Sequence, residues 1–194
     1  GPLRDLDVYP VPGGSGTAVH IFIHGGYWRA LDKANFAFVA EHLVANGIAT
    51  VVVNYPLCPA VTLDGVVAST LDAVAWTARN ARGFGGDPRR ITLSGHSAGA
   101  HLGAAALATD WSLRDLPRDV LQGAVLISGI YDPAPAILTT VNAELKLTPA
   151  IARRQNYEQA TPFVRCPVEI MAGGEEPSHW IDQSFRYAHH MAAN

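Results

Sequence analysis

The sequence predicts an α/β protein: a mainly parallel sheet with helices packed on both faces, in three layers. Three observations carry that expectation. Short runs rich in β-branched residues alternate along the chain with longer alanine-rich stretches of helical period, the pattern of successive strand–helix–strand units. Of the 194 residues 48% are hydrophobic and only 16% charged, against roughly a quarter charged in ordinary soluble domains, so much of the chain is suited to burial. The length suits one sizeable core, and residues 1–194 read as a single domain with no internal repeat or low-complexity tract.

The elements follow in order. Residues 6–9 read as an edge strand, with Gly13-Gly14-Ser15-Gly16 as the turn out of it. Residues 19–23, Val-His-Ile-Phe-Ile, are the first buried strand. Residues 35–46 predict a helix stopped at Gly47, because glycine accepts the left-handed conformation that ends a helix. A second buried strand covers 48–54 and is broken by Pro56 and Pro59. Residues 63–80 place Val66, Val67, Leu71, Val74 and Ala75 on one helical face. Residues 90–94 form a third strand and 98–109 a helix of small residues directly after it. Strands at 123–128 and 168–172 flank a proline-containing segment, 132–162, that reads as an irregular cap-like excursion, and a last helix covers 180–193.

Charge and composition remove several function classes. Fourteen Lys and Arg against seventeen Asp and Glu give a net charge of −3 with no basic stripe to track phosphates, which argues against a nucleic-acid partner. The apolar runs are far shorter than the roughly 20 residues of a membrane span. Two cysteines, Cys58 and Cys166, cannot build a disulfide framework, which fits a reducing, cytoplasmic compartment. The eight histidines show no zinc-type spacing, so no metal is expected.

Chemistry concentrates in two glycine-rich junctions. Gly95-His96-Ser97-Ala98-Gly99 fits the G-x-S-x-G pattern and lies between a strand and a helix. A tight turn there lifts a serine hydroxyl clear of the sheet, and the helix N-terminus supplies positive partial charge where an oxyanion develops. Upstream, His24-Gly25-Gly26-Tyr27-Trp28 follows the first buried strand. Adjacent glycines leave amides unshielded for a substrate carbonyl, so Gly25, Gly26, Tyr27 and Ala98 are the candidate oxyanion hole. Tyr27 and Trp28 either wall an acyl or aryl pocket or fill the space beside the glycines, two readings of equal weight, and His24 is expected to brace the loop.

At these motifs the chain resembles the α/β-hydrolase fold, and more narrowly the arylformamidase (kynurenine formamidase) and small carboxylesterase group. The resemblance extends to Ala100-His101-Leu102, to Phe84-Gly85-Gly86-Asp87-Pro88, to Leu57-Cys58-Pro59, to Ser128-Gly129-Ile130-Tyr131-Asp132 and to Gln183-Ser184. It implies a serine hydrolase without cofactor, acting on a small ester or on an aryl formamide, with Ser97 as nucleophile. It aligns Glu176 with the family's acid, Glu175 being the fallback. It places the base histidine after one further strand. Only 18 residues follow Glu176 in the 194-residue sequence, too few for a helix, a strand and a loop. The catalytic histidine and the C-terminal strand are therefore expected to lie beyond Asn194, leaving an exposed sheet edge and a possible homo-oligomer. His179 sits too near the acid loop, His189 and His190 lie on a helix, His96 flanks the nucleophile, His101 is one turn down its helix, and His20 and His42 read as structural. The alternative is a non-catalytic protein of the same fold that binds a small ligand or a partner.

Overall fold

In the computed structural model, which describes residues 3–194, six strands form one sheet. They are β1 (Leu6–Tyr9), β2 (Thr17–Ile23), β3 (Ile48–Val53), β4 (Gly86–His96), β5 (Gly123–Ile127) and β6 (Val168–Met171). Their order is β1-β3-β2-β4-β5-β6, with β1 antiparallel to β3 and every other pair parallel. The helices are α1 (Phe38–Ala45), α2 (Leu63–Asn80), α3 (Ala98–Leu107), α4 (Asn142–Leu145), α5 (Pro149–Arg154) and α6 (Ser178–Ala193).

The continuous apolar runs become central strands because helices cover both faces of a parallel sheet, so both faces of a strand must be apolar. Val51, Val52 and Val53 on β3 are accordingly all buried, as are Val19, Ile21 and Ile23 on β2. Helix α3 buries every residue from Ala98 to Leu107, and its small side chains allow the closest approach to the sheet. A Cβ on Gly103 would sit 2.6 Å from Leu126 Cδ2, so the helix could not lie as near with a larger residue there. Helix α2 is one-sided: Val66, Val67, Thr70, Val74 and Ala78 face inward while Trp76 stays exposed. One hydrophobic cluster runs from Val19 on β2 to Tyr187 on α6.

Two boundaries differ from the sequence pattern by more than two residues. The helix expected at 35–46 is a 3₁₀ turn, Lys33–Phe36, followed by α1. Asp32 accounts for the early start: its carboxylate accepts from Ala34 N while Asn35 Oδ1 accepts from Asp32 N, a reciprocal cap. Strand β4 begins at Gly86 rather than residue 90, because Thr17 pairs with Gly86 across an irregularity before the regular register resumes at Val19.

Segment 132–162 is short-helical and well tied. A 3₁₀ turn at Ala134–Leu138, α4 and α5 are linked through Asn142, whose side chain donates to Ile137 O and Leu147 O and accepts from Leu147 N. Asp64 of α2 accepts from Arg154 and from Gln155 Nε2. Arg29 donates to Glu144 at 2.9 Å, fastening α4 to the loop after β2. Among the described residues no helix is long and apolar enough to cross a membrane.

Candidate active site

The loops that leave β2, β4, β5 and β6 gather at the carboxyl ends of the parallel strands, where open α/β sheets bind ligands. Ser97 stands alone between the last residue of β4 and the first of α3, at φ 55° and ψ −116°, a conformation costly for any residue but glycine. Its amide donates to Ile127 O at 2.8 Å, and its carbonyl accepts from Ala100 N and His101 N. The flanking glycines are sterically required. A Cβ on Gly95 would overlap the backbone of Gly99, and one on Gly99 would overlap the carbonyls of Ile23 and His24. The turn is that tight because the helix start presses directly on the end of β2.

Opposite Ser97 runs the loop after β2. Gly26, Tyr27 and Trp28 take positive φ of 114°, 54° and 57°, a left-handed turn closed by Arg29 N and Ala30 N donating to Gly26 O. Gly25 lies against the elbow: a Cβ there would meet His96 O at 2.9 Å and Ser97 Cβ at 3.3 Å. The loop is held from behind. Tyr55 Oη donates to His24 O (2.8 Å) and is 3.1 Å from Gly25 O. His24 Nδ1–H donates to Gly25 O at 2.6 Å, with its ring stacked between Phe36 and Tyr55. Burial holds the His24 pKa below its ordinary value, so the ring is a neutral brace.

Of the two aromatics, Tyr27 is half-buried and packs near Trp180 at 6.1 Å between ring centroids. Trp28 has no exposed surface and meets His101 edge-on at 5.0 Å, so it fills the core behind the loop instead of lining a substrate pocket, and of the two it is Tyr27 that reaches solvent.

Glu176 and Glu175 are treated differently by the fold. Glu175 is exposed. Glu176 Oε1 accepts from Ser128 Oγ at 2.5 Å and from Gly173 N at 3.0 Å. Glu176 Oε2 is buried with no partner among the described residues.

The histidines are mostly committed elsewhere. His20 bonds Thr92 and Ser94, His101 Nε2–H donates to Gln155 O, and His190 Nε2–H donates to Ala160 O. Burial pushes His20 and His101 each down to about 4, so both are neutral at pH 7. His42, His179 and His189 are exposed, and so is His96 beside the elbow. Among the described residues no group of three or more His, Cys, Asp or Glu is placed to hold a metal ion.

Two residues outside the sequence motifs for chemistry hold the site's loops: Tyr55 and Ser128. Each directly follows or nearly follows a buried strand, the same position that singled out Ser97, and that placement was the available signal.

An α/β-hydrolase is the class that this sheet, with its strained elbow and facing glycine loop, defines. Known proteins agree. The chain matches the BD-FAE family model over residues 6–122, and it belongs to that family. It is 38% identical over 188 residues to a kynurenine formamidase of Danio rerio and 34% identical over 188 residues to one of Salmo salar. In both cases 94% of this chain is covered, and the chain spans 62% of the length of those relatives. A solved structure from Silicibacter sp. TM1040 superposes with a TM-score of 0.87 at 27% identity, covering 98% of this chain and 70% of that one. The carboxylesterase EstE1 from a metagenomic library shares the fold, with a TM-score of 0.77 at 18% identity over 99% of this chain and 76% of that one.

Proposed function

We propose that the protein is a serine hydrolase that removes a small acyl or formyl group from an ester or an aryl formamide. The observation that carries this reading is the juxtaposition of Ser97, held at φ 55° on the elbow, with the Gly25 backbone passing against its Cβ. Ser97 Oγ attacks the substrate carbonyl carbon and gives its proton to a histidine. The oxyanion forms within reach of the amides of Gly26, Tyr27 and Ala98, each such donor being worth about 3 kcal/mol in the transition state. Gly25 shapes the loop. Collapse of the tetrahedral species returns the proton to the leaving alcohol or amine. Water then repeats the sequence on the acyl- or formyl-enzyme.

Glu176 orients the histidine through Oε2, the buried oxygen that has no partner among the described residues. The half-buried Tyr27 near Trp180, backed by the buried Trp28, supports a small aromatic leaving group rather than a long acyl chain. The kynurenine formamidases among its relatives support the same substrate class.

The test compares kcat/KM of the full-length protein for N-formylkynurenine, p-nitrophenyl acetate and a long-chain p-nitrophenyl ester, with and without Ser97→Ala. Short ester or formamide turnover is expected to exceed that of the long chain and to fall at least about 10³-fold in the variant, which should still fold. Retention of more than a few per cent by Ser97→Ala removes Ser97 from the mechanism. A clear preference for the long chain overturns the substrate class.

A further inference from the structure

We propose that Ser128 is a positioning residue for the Glu176 carboxylate, and that the end of β5 sets the nucleophile and the acid in register. The inference rests on the hydrolase reading above and adds a residue to it. Ser128 directly follows β5, is 4% exposed, and holds a φ of 53°, a left-handed conformation that a serine adopts only where its surroundings compel it. Its amide donates to Met171 O at 2.7 Å, locking the residue to the end of β6. The residue before it, Ile127, accepts the Ser97 amide at 2.8 Å. Two adjacent residues thus fasten to the two elements that carry the proposed nucleophile and acid.

The hydroxyl of Ser128 has a single hydrogen and commits it to the hydrogen bond that it donates to Glu176 Oε1. Gly173 N donates to the same oxygen, and Glu176 N closes the 173–176 turn by donating to Gly173 O at 3.2 Å. The last torsion of a glutamate is broad and roughly two-fold, so one hydrogen bond from a loop amide leaves the carboxylate free to swing. Two donors from different elements on one oxygen fix its plane. Oε2 is then presented bare and buried, the orientation needed to receive an imidazole N–H. Glu175, its exposed neighbour, has no such hold, so Ser128 also selects which of the two acids is used.

The test measures kcat and KM of the full-length protein on p-nitrophenyl acetate for Ser128→Ala, Ser128→Gly, Glu176→Gln, the double variant Ser128→Ala/Glu176→Gln, and Ser97→Ala as reference. Glycine suits the left-handed backbone better than serine, so Ser128→Gly removes the hydroxyl without straining the turn. Both single Ser128 variants are expected to lose about 10- to 100-fold in kcat with KM unchanged within about two-fold, as for a misplaced catalytic group. In the Glu176→Gln background the Ser128→Ala change is expected to cost less than about two-fold, because a residue acting through Glu176 has nothing left to position.

A parental kcat in Ser128→Gly overturns the proposal, and so does a Ser128→Ala loss of equal size with and without Glu176. Those results, with Ser97→Ala inactive and Glu176→Gln impaired, sink the positioning role alone. Activity surviving in Ser97→Ala, or undiminished in Glu176→Gln, sinks the triad reading beneath it.

Discussion

Tyr55 has one hydroxyl proton and two carbonyl oxygens within reach, those of His24 and Gly25, at the point where the glycine loop leaves β2. Gly25 O keeps a second donor in His24 Nδ1–H, whereas among the described residues Tyr55 supplies the side-chain donor to His24 O. Tyr55→Phe is therefore expected to lower stability by about 1–2 kcal/mol, the cost of a buried acceptor left unmet. It is also expected to lower kcat about ten-fold through a looser oxyanion loop, with little change in KM. Urea denaturation and steady-state kinetics check the two effects separately, and a stability loss with kcat intact would confine Tyr55 to the scaffold. This residue also marks where sequence stops being informative. Gly95 and Gly99 were legible because a local turn demands glycine at those spacings. Tyr55 and Ser128 act on partners 31 and 48 residues away, and no local pattern carries such contacts. For Trp28 the loop motif allowed a pocket wall or a space-filling ring equally, and the choice between them depends on His101 lying behind it.

Periodicity placed every strand and the long helices because each element is apolar on the face or faces that the fold covers. It failed at ends set by side-chain capping, as at Asp32, and within 132–162, whose short helices are held by long-range polar ties. Those ties give this segment a testable mechanics. Asp64 on α2 accepts from the Arg154 guanidinium and from Gln155 Nε2, and the hydrogen bond from Arg154 holds its carboxyl below the usual range. Gln155 in turn offers its carbonyl to His101 on α3. Removing Asp64 cuts the tie of α5 to α2 while leaving the α3 contact. The ion pair is partly exposed, so Asp64→Ala is expected to cost about 1 kcal/mol or less globally. Local opening of α5 should rise much more, since short, solvent-facing elements open independently of the core. Arg153 and Arg154 lie in α5 and are tryptic sites, so native-state trypsin cleavage there should accelerate several-fold. An unchanged cleavage rate would show that the Asn142 network holds the segment without α2.

At the scale of the whole molecule, two neutral histidines lie on two elements, β2 and α3, that both pack against strand β4. His20 on β2 bonds Thr92 and Ser94 of β4, while His101 on α3 is fully buried against Trp28 and Tyr157. Burial lowers both from 6.5 to about 4, and lowers His24 in the same direction. The unfolded chain protonates the His20 and His101 rings near pH 6.5, whereas the folded protein resists until about pH 4. Between those values the unfolded state binds more protons, so stability falls as pH falls, and it is fully present only above about 6.5. The paired carboxylates with lowered values, such as Asp64 and Asp110, weaken the fold further as acid reaches their own range. Each histidine contributes a slope of at most about 1.4 kcal/mol per pH unit, and a few kcal/mol across the window is a large share of a typical 5–15 kcal/mol stability. The measurement is urea denaturation at several pH values from 7.5 down to 4.5, for the parent and for His101→Leu. The variant should start less stable at pH 7.5, because Gln155 O loses its donor. Its stability should then decline more shallowly, by up to about 1.4 kcal/mol per pH unit, since one proton-accepting site of the unfolded chain is gone. A variant that parallels the parent over the whole range would show that His101 is charged in the folded protein or plays no part in its acid sensitivity.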